Sequence, residues 1–194
     1  MSLAECAALL ERGDPDRFLA LMAAPVAARA ALLPLYAFNL ELARIPWLTQ
    51  EPMIAEMRLQ WWREVVEAAA RGGQARAHEV AGPLHDLIAA RALPVPVFDR
   101  LIEARRHDAW GEGFPPGSDA GLKAYLEDTG AGLAWLGARA LGAPLGAEAV
   151  VRDYGWASAL ANYLRAVPEL AARGRAGRPA DRPPYGGDAV LPRS

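Results

Sequence analysis

The sequence predicts an all-α fold, and three observations carry that expectation. Apolar residues recur at three- and four-residue spacing through nearly the whole chain. No segment combines strict alternation with a run of β-branched residues, as a half-buried strand requires. The linkers between the periodic stretches are dense in glycine and proline. At 194 residues and 53% hydrophobic content, the chain is long and apolar enough for one self-sufficient core, which excludes general disorder.

The elements follow in order. The N-terminal stretch MSLAECAALLERGD carries Glu5 and Glu11 where an export signal needs a basic start and an apolar run, so a cytoplasmic location is expected. Asp14 followed by Pro15 reads as a cap and a first-turn proline. Phe18, Leu21 and Met22 then repeat at helical spacing until Pro25 stops the helix. A second helix is predicted from about Val26 to Ile45, kinked at Pro34 because the ring removes one donor and displaces a carbonyl. The longest apolar stretch, Leu19 to Ala28, contains Pro25 and is too short to span a bilayer. A third helix is predicted from Pro52 to Gly72, with Met53, Met57, Trp61 and Val65 as its apolar face. That assigns Trp61 to the core and leaves the adjacent Trp62 pointing partly elsewhere, toward a pocket or an interface. On the polar face, Arg63 and Glu67 are spaced to pair. Further helices are predicted at 78–91, 96–109, 119–141 and 146–172, with a Gly/Pro-rich linker at 111–119. A helical domain over 1–173 is therefore followed by an Arg/Pro/Gly-rich tail, 174–194, whose composition suits a disordered or truncated end.

Charge and motifs narrow the chemistry. With 21 Lys+Arg against 23 Asp+Glu, the net charge of −2 supplies no field for nucleic acid. Cys6 is the sole cysteine, which excludes an intramolecular disulfide and a cysteine-based zinc cluster. Three histidines without a helical HExxH argue against catalytic zinc. Asp99, Glu103 and His107 share one helical face, as converging ligands or as a solvated stripe laced by Arg100, Arg105 and Arg106. The Gly-Ala-Gly at 130–132 follows no strand, so it is no dinucleotide fingerprint. It reads as a close helix crossing or as a groove for a long apolar ligand. No serine sits in a GxSxG elbow.

Three blocks, LLPLYAFNLELARI at 32–45, MRLQWWREVV at 57–66 and YGWASALANYLRAVPE at 154–169, together resemble the squalene/phytoene synthase family. YLEDTGAGLAWLGARALG at 125–142 is similar to a helix that walls that family's substrate cavity. The resemblance implies a single-domain helical bundle of the isoprenoid (terpenoid) synthase type, here C-terminally incomplete because the family continues with further helices. Family enzymes condense two prenyl diphosphates, using aspartates that hold magnesium against the diphosphates. At the positions matching the first acidic motif this chain has Ala43, Arg44, Ile45, Pro46 and Trp47. In the second block Asn162 and Arg165 keep the pattern, while Ala159 and Ala166 stand where glutamine and aspartate are expected. Glu41 lies two residues before the first motif, as a displaced ligand or a partner for Arg44, and Glu169 is the remaining acid near the second.

The FNxELA and RLQWW wording resembles the family's non-catalytic branch, which includes an assembly factor for respiratory complex I. The resemblance thus implies a degenerate, pseudoenzyme-like protein that binds a lipid or a partner; the alternative is a prenyltransferase condensing two prenyl diphosphates. Candidate substrate-binding residues are Tyr36, Asn39, Glu41, Arg44, Trp62, Asn162 and Arg165. No catalytic residue or metal ligand is assigned. No cofactor is expected, with Mg2+ needed only for the alternative. Expected partners are a prenyl diphosphate or other apolar lipid and a protein of respiratory-complex assembly, with peripheral contact to the inner membrane and none to nucleic acid.

Overall fold

A computed structural model describes residues 2–49, 51–110 and 119–172, and every regular element among them is helical. The first helix, α1 (Leu3–Gly13), lies where the sequence reading named no element. Its start is local chemistry: the Glu5 carboxylate accepts the Ser2 backbone N–H at 2.6 Å. Cys6 and Leu10 are its fully buried residues, and it packs on α3. Burial and the nearby Glu5 and Glu79 carboxylates push the Cys6 thiol up to about 11. Asp14 then caps α2 (Pro15–Ala23), accepting the Arg17 N–H at 3.2 Å, with Pro15 in the first turn as the sequence indicates. Arg29 reaches back to the end of α2, donating to the carbonyls of Ala24 and Met22 at 2.8 and 2.7 Å.

The central element is α3 (Val26–Leu48), which continues through both Pro34 and Pro46 and ends three residues beyond the predicted Ile45. Among the described residues it is the one helix long and apolar enough to cross a membrane, longer than the stretch at 19–28. Yet 56% of its most apolar window is buried inside the fold, the mark of a core helix. Its Phe38 meets Trp62 of α4 (Pro52–Ala70) at 5.2 Å and Phe98 of α6 (Val95–Trp110) at 5.6 Å, both edge to face.

The α4 face differs from the predicted one. Met53 and Met57 are 66% and 69% exposed; Val65 is buried as predicted, together with Ala55, Leu59, Trp62, Val66 and Ala69. Trp62 is thus the core tryptophan, and Trp61 packs half-buried against it at 4.8 Å. Arg63 bypasses Glu67 and bridges instead to α6, reaching Asp99 at 3.8 Å and Glu103 at 3.0 Å; Glu67 pairs with Arg71.

The next helix, α5 (Ala81–Arg91), begins three residues later than expected because His78 Nδ1 accepts the N–H groups of Val80 and Ala81. It ends at Ala92 with φ 47°, a left-handed position that favours glycine. Removing the Cβ there relieves the backbone strain, so Ala92→Gly is expected to stabilise the fold by about 1 kcal/mol, measured as a raised urea midpoint.

The predicted helix at 119–141 is α7 (Asp119–Leu126) and α8 (Gly132–Ala140), joined by a π-helical turn over Glu127–Ala131. After a short 3-10 turn, α9 (Glu148–Ala172) runs back across that π turn and α8. The crossing is close because both sides are glycine. A Cβ on Gly130 would lie 2.1 Å from that of Ala159, and one on Gly155 would lie 2.8 Å from the Ala131 Cα. The close-crossing reading of residues 130–132 therefore holds at Gly130. The tail at 174–194 and most of the linker at 111–119 lie outside the described residues.

Candidate functional site

The helices that cross at the π turn also enclose space. A cavity of about 430 Å3 is bounded by α3, α6, the π turn, α8 and α9. Its polar lining includes Asn39, Arg105, Tyr125, Thr129 and Ser158. A second cavity of about 550 Å3 lies on the α2 side and is lined by Asp14, Asp16 and Arg165. Arg17, Tyr36 and Asn162 border both, so the two spaces adjoin. Gly130 and Gly155 line the first cavity as well as making the crossing. The crossing and the cavity thus share these glycines: a backbone without Cβ atoms lets α9 approach and shapes the space beside it.

Helix periodicity explains the lining. On α9, Tyr154, Ser158, Asn162 and Ala166 are four residues apart, with Gly155 and Ala159 alongside. Tyr125 and Thr129 are likewise one turn apart, and the Thr129 hydroxyl donates to the Tyr125 carbonyl at 2.6 Å.

The most constrained polar group is Arg105, whose side chain is 13% exposed. Its Nη1 donates to Asp108 at 3.1 Å and to the Tyr125 hydroxyl at 2.8 Å, and its Nη2 donates to Asn39 Oδ1 at 3.3 Å. Tyr125 in turn donates to Asp108 at 2.9 Å. Burial opposes the Arg105 charge, but the adjacent Tyr125 and Asp108 outweigh it and hold the guanidinium protonated. Burial is also the main cause that pushes Tyr36, Tyr125 and Tyr163 upward, so all three line the cavity as neutral hydroxyls. Arg17 pairs with Asp14 at 3.1 Å and lies 5.0 Å above the Tyr36 ring.

Four of the seven residues singled out from sequence converge here. Tyr36 and Asn162 border both cavities, Asn39 the first and Arg165 the second. Asn162 accepts from Arg165 at 2.6 Å. The other three lie elsewhere. Glu41 pairs with Arg44 one turn on at 3.5 Å, which leaves both off the cavity walls. Trp62 is 3% exposed in the core, since α4 turns it toward Phe38 rather than toward a pocket. Sequence reasoning missed Arg17, Arg105, Tyr125, Thr129, Tyr154, Ser158 and Tyr163. The four-residue stripe from Tyr154 to Ala166 was the available signal for the α9 members.

The metal-like stripe resolves into ion pairs. Arg63 reaches both Asp99 and Glu103, Arg106 adds a bond to Glu103 at 2.8 Å, and Arg100 turns to Asp128 at 3.5 Å. Among the described residues, no group of three or more His, Cys, Asp or Glu comes together in a way that could hold a metal ion. Ala159 and Ala166 face the first cavity and offer no donor atom.

The all-helical array that encloses this cavity has the terpenoid-synthase type of fold. A solved dehydrosqualene synthase in complex with ligand superposes with a TM-score of 0.73 at 18% identity, over 89% of this chain and 59% of that one. Residues 10–182 match the squalene/phytoene synthase family, and the chain belongs to it. Similar curated relatives include the complex I assembly factor 6 homolog of Drosophila melanogaster, 29% identical over 88% of this chain and 52% of its own length. The NADH dehydrogenase (ubiquinone) complex I assembly factor 6 proteins of Bos taurus and Homo sapiens are 27% and 26% identical, each over 91% of this chain and 52% of theirs. The chain thus spans about half the length of these relatives.

Proposed function

We propose that this chain is a non-catalytic member of its family that holds an apolar ligand in the cavity and acts through a protein partner in the assembly of a respiratory complex. The observation that carries the non-catalytic part is the alanine at 159 and 166. These positions form part of the cavity wall, where the family pattern calls for glutamine and a magnesium-binding aspartate. Ala43 replaces a carboxylate on α3, and the nearby Glu41 is committed to Arg44. Magnesium needs hard oxygen donors, and two alanines and an ion-paired glutamate do not make such a set. The partner reading is supported by relatives named for complex I assembly.

Incubating the protein with farnesyl or geranylgeranyl diphosphate and Mg2+ tests the proposal. The expected outcome is no squalene, no phytoene and no cyclopropyl intermediate; any of these products overturns it. Recovery of complex I subunits with the tagged protein from its native host supports the partner role, and their absence counts against it.

The condensing alternative needs carboxylates at the cavity. Asp99 and Glu103 are instead taken up by Arg63 between α4 and α6, and Glu169 lies outside the described side chains.

A further inference from the structure

We propose that the first cavity is a receptor for one uncharged, single-chain amphiphile of about fourteen carbons, with a hydrogen-bond-accepting head, a carbonyl or hydroxyl oxygen, seated at Arg105. This rests on the ligand-binding reading above and gives it a chemical class.

Size comes first. At about 30 Å3 per methylene-sized unit, the share of a water molecule in the liquid, the cavity holds one chain of about fourteen carbons. Charge comes next. The two cations on its wall, Arg17 and Arg105, are each already paired with a carboxylate at 3.1 Å, Asp14 and Asp108. A diphosphate would bring several negative charges into a site whose positive charge is spent, and its desolvation would go uncompensated. A neutral head carries no such cost.

The donors point the same way. Arg105 has five N–H groups and three acceptors among the described residues, namely Asp108, Tyr125 and Asn39. Its Nη2 donates to Asn39 alone, which leaves one N–H of that nitrogen without an acceptor among the described residues. An unsatisfied buried donor on a charged group is costly, and a ligand oxygen at the guanidinium supplies the missing acceptor. Part of the lining is apolar: Leu126, Leu133 and Ala134 contribute to it beside the glycines of the crossing. A lining that combines a hydrogen-bond donor with apolar side chains is the complement of a ketone, a quinone-like carbonyl or a long-chain alcohol, and not of a multiply charged head.

The test uses the full chain and equilibrium binding of three probes: tetradecan-2-one, tetradecane, and farnesyl diphosphate with and without Mg2+. The ketone is expected to bind at least tenfold more tightly than either other probe, and Mg2+ is expected to change nothing. Arg105→Lys keeps the charge beside Asp108 but loses the planar fork. It is expected to lower ketone affinity about tenfold while leaving tetradecane affinity unchanged, a ratio that a merely structural role would not move. Farnesyl diphosphate as the tightest probe overturns the proposal but leaves ligand binding standing. Equal affinity for ketone and alkane overturns recognition of the head alone. Binding of none of the three overturns the ligand-binding reading itself. Should Arg105→Lys fail to fold, the ketone-to-alkane ratio of the unaltered protein decides.

Discussion

Phe38→Ala is expected to cost about 4 kcal/mol of folding stability, about a quarter or more of what a domain has to lose. Phe38 is fully buried, and its ring is the shared edge-to-face partner of Trp62 and Phe98. Truncation therefore leaves a cavity where α3, α4 and α6 meet, and the rigid rings around it cannot collapse to fill it. Urea unfolding monitored by tryptophan fluorescence measures the loss, and a cost below about 1.5 kcal/mol would mean that the three rings do not pack as a unit. The same geometry predicts that Trp62→Ala reports on folding. Loss of a partner in that variant would say nothing about a docking surface.

Gly155→Ala is expected to destabilise by about 3 kcal/mol, at the upper end for a single added methyl in a packed site. The new Cβ would meet the Ala134 Cβ at 2.6 Å, the Ala131 Cα at 2.8 Å and the Gly130 carbonyl oxygen at 3.0 Å. Two of these atoms are backbone, so relief requires α9 to move away from the π turn, not merely a side chain to rotate. Gly137→Ala is the control. Its Cβ meets Leu32 at 3.4 Å and Tyr36 at 3.6 Å, ordinary contact distances. There the gain in helix propensity, about 1 kcal/mol, is expected to show. Thermal melts of the two variants beside the parent give the comparison, and equal melting temperatures would contradict the crossing geometry.

Both effects arise where sequence alone reads ambiguously. The α4 register illustrates why. Four-residue steps advance about 40° beyond a full turn, so Met53 and Val65, three steps apart, lie about 120° from one another around the helix. A face drawn through every fourth residue therefore drifts around the helix: Met53 and Met57 at its start are exposed, and Val65 at its end is buried. The buried residues Ala55, Leu59, Trp62, Val66 and Ala69 alternate fours and threes and stay on one side, with Val65 buried beside them. Reading that alternation places Trp62 inside and Met57 outside.

Within the site, legibility followed locality. Tyr36 and Asn39 are one turn apart on α3, and Asn162 and Arg165 one turn apart on α9, so each pair was visible within its own block. Arg105 was not, because its partners Asn39 and Tyr125 are 66 and 20 residues away and no local pattern links them. In its own helix it looked like one more cation of an exposed stripe.

The sequence by itself determined the helical class, the starts of α2 and α4 through Asp14, Pro15 and Pro52, the family, and the alanines at 43, 159 and 166, because caps, prolines and spacing act over one or two turns. Only the tertiary structure decided which arginine is buried and which solvated, which tryptophan is core, and that Gly130 and Gly155 both pack and shape the cavity. Those outcomes depend on which helices face each other, and contact between segments distant in the chain leaves no mark on the pattern of either one.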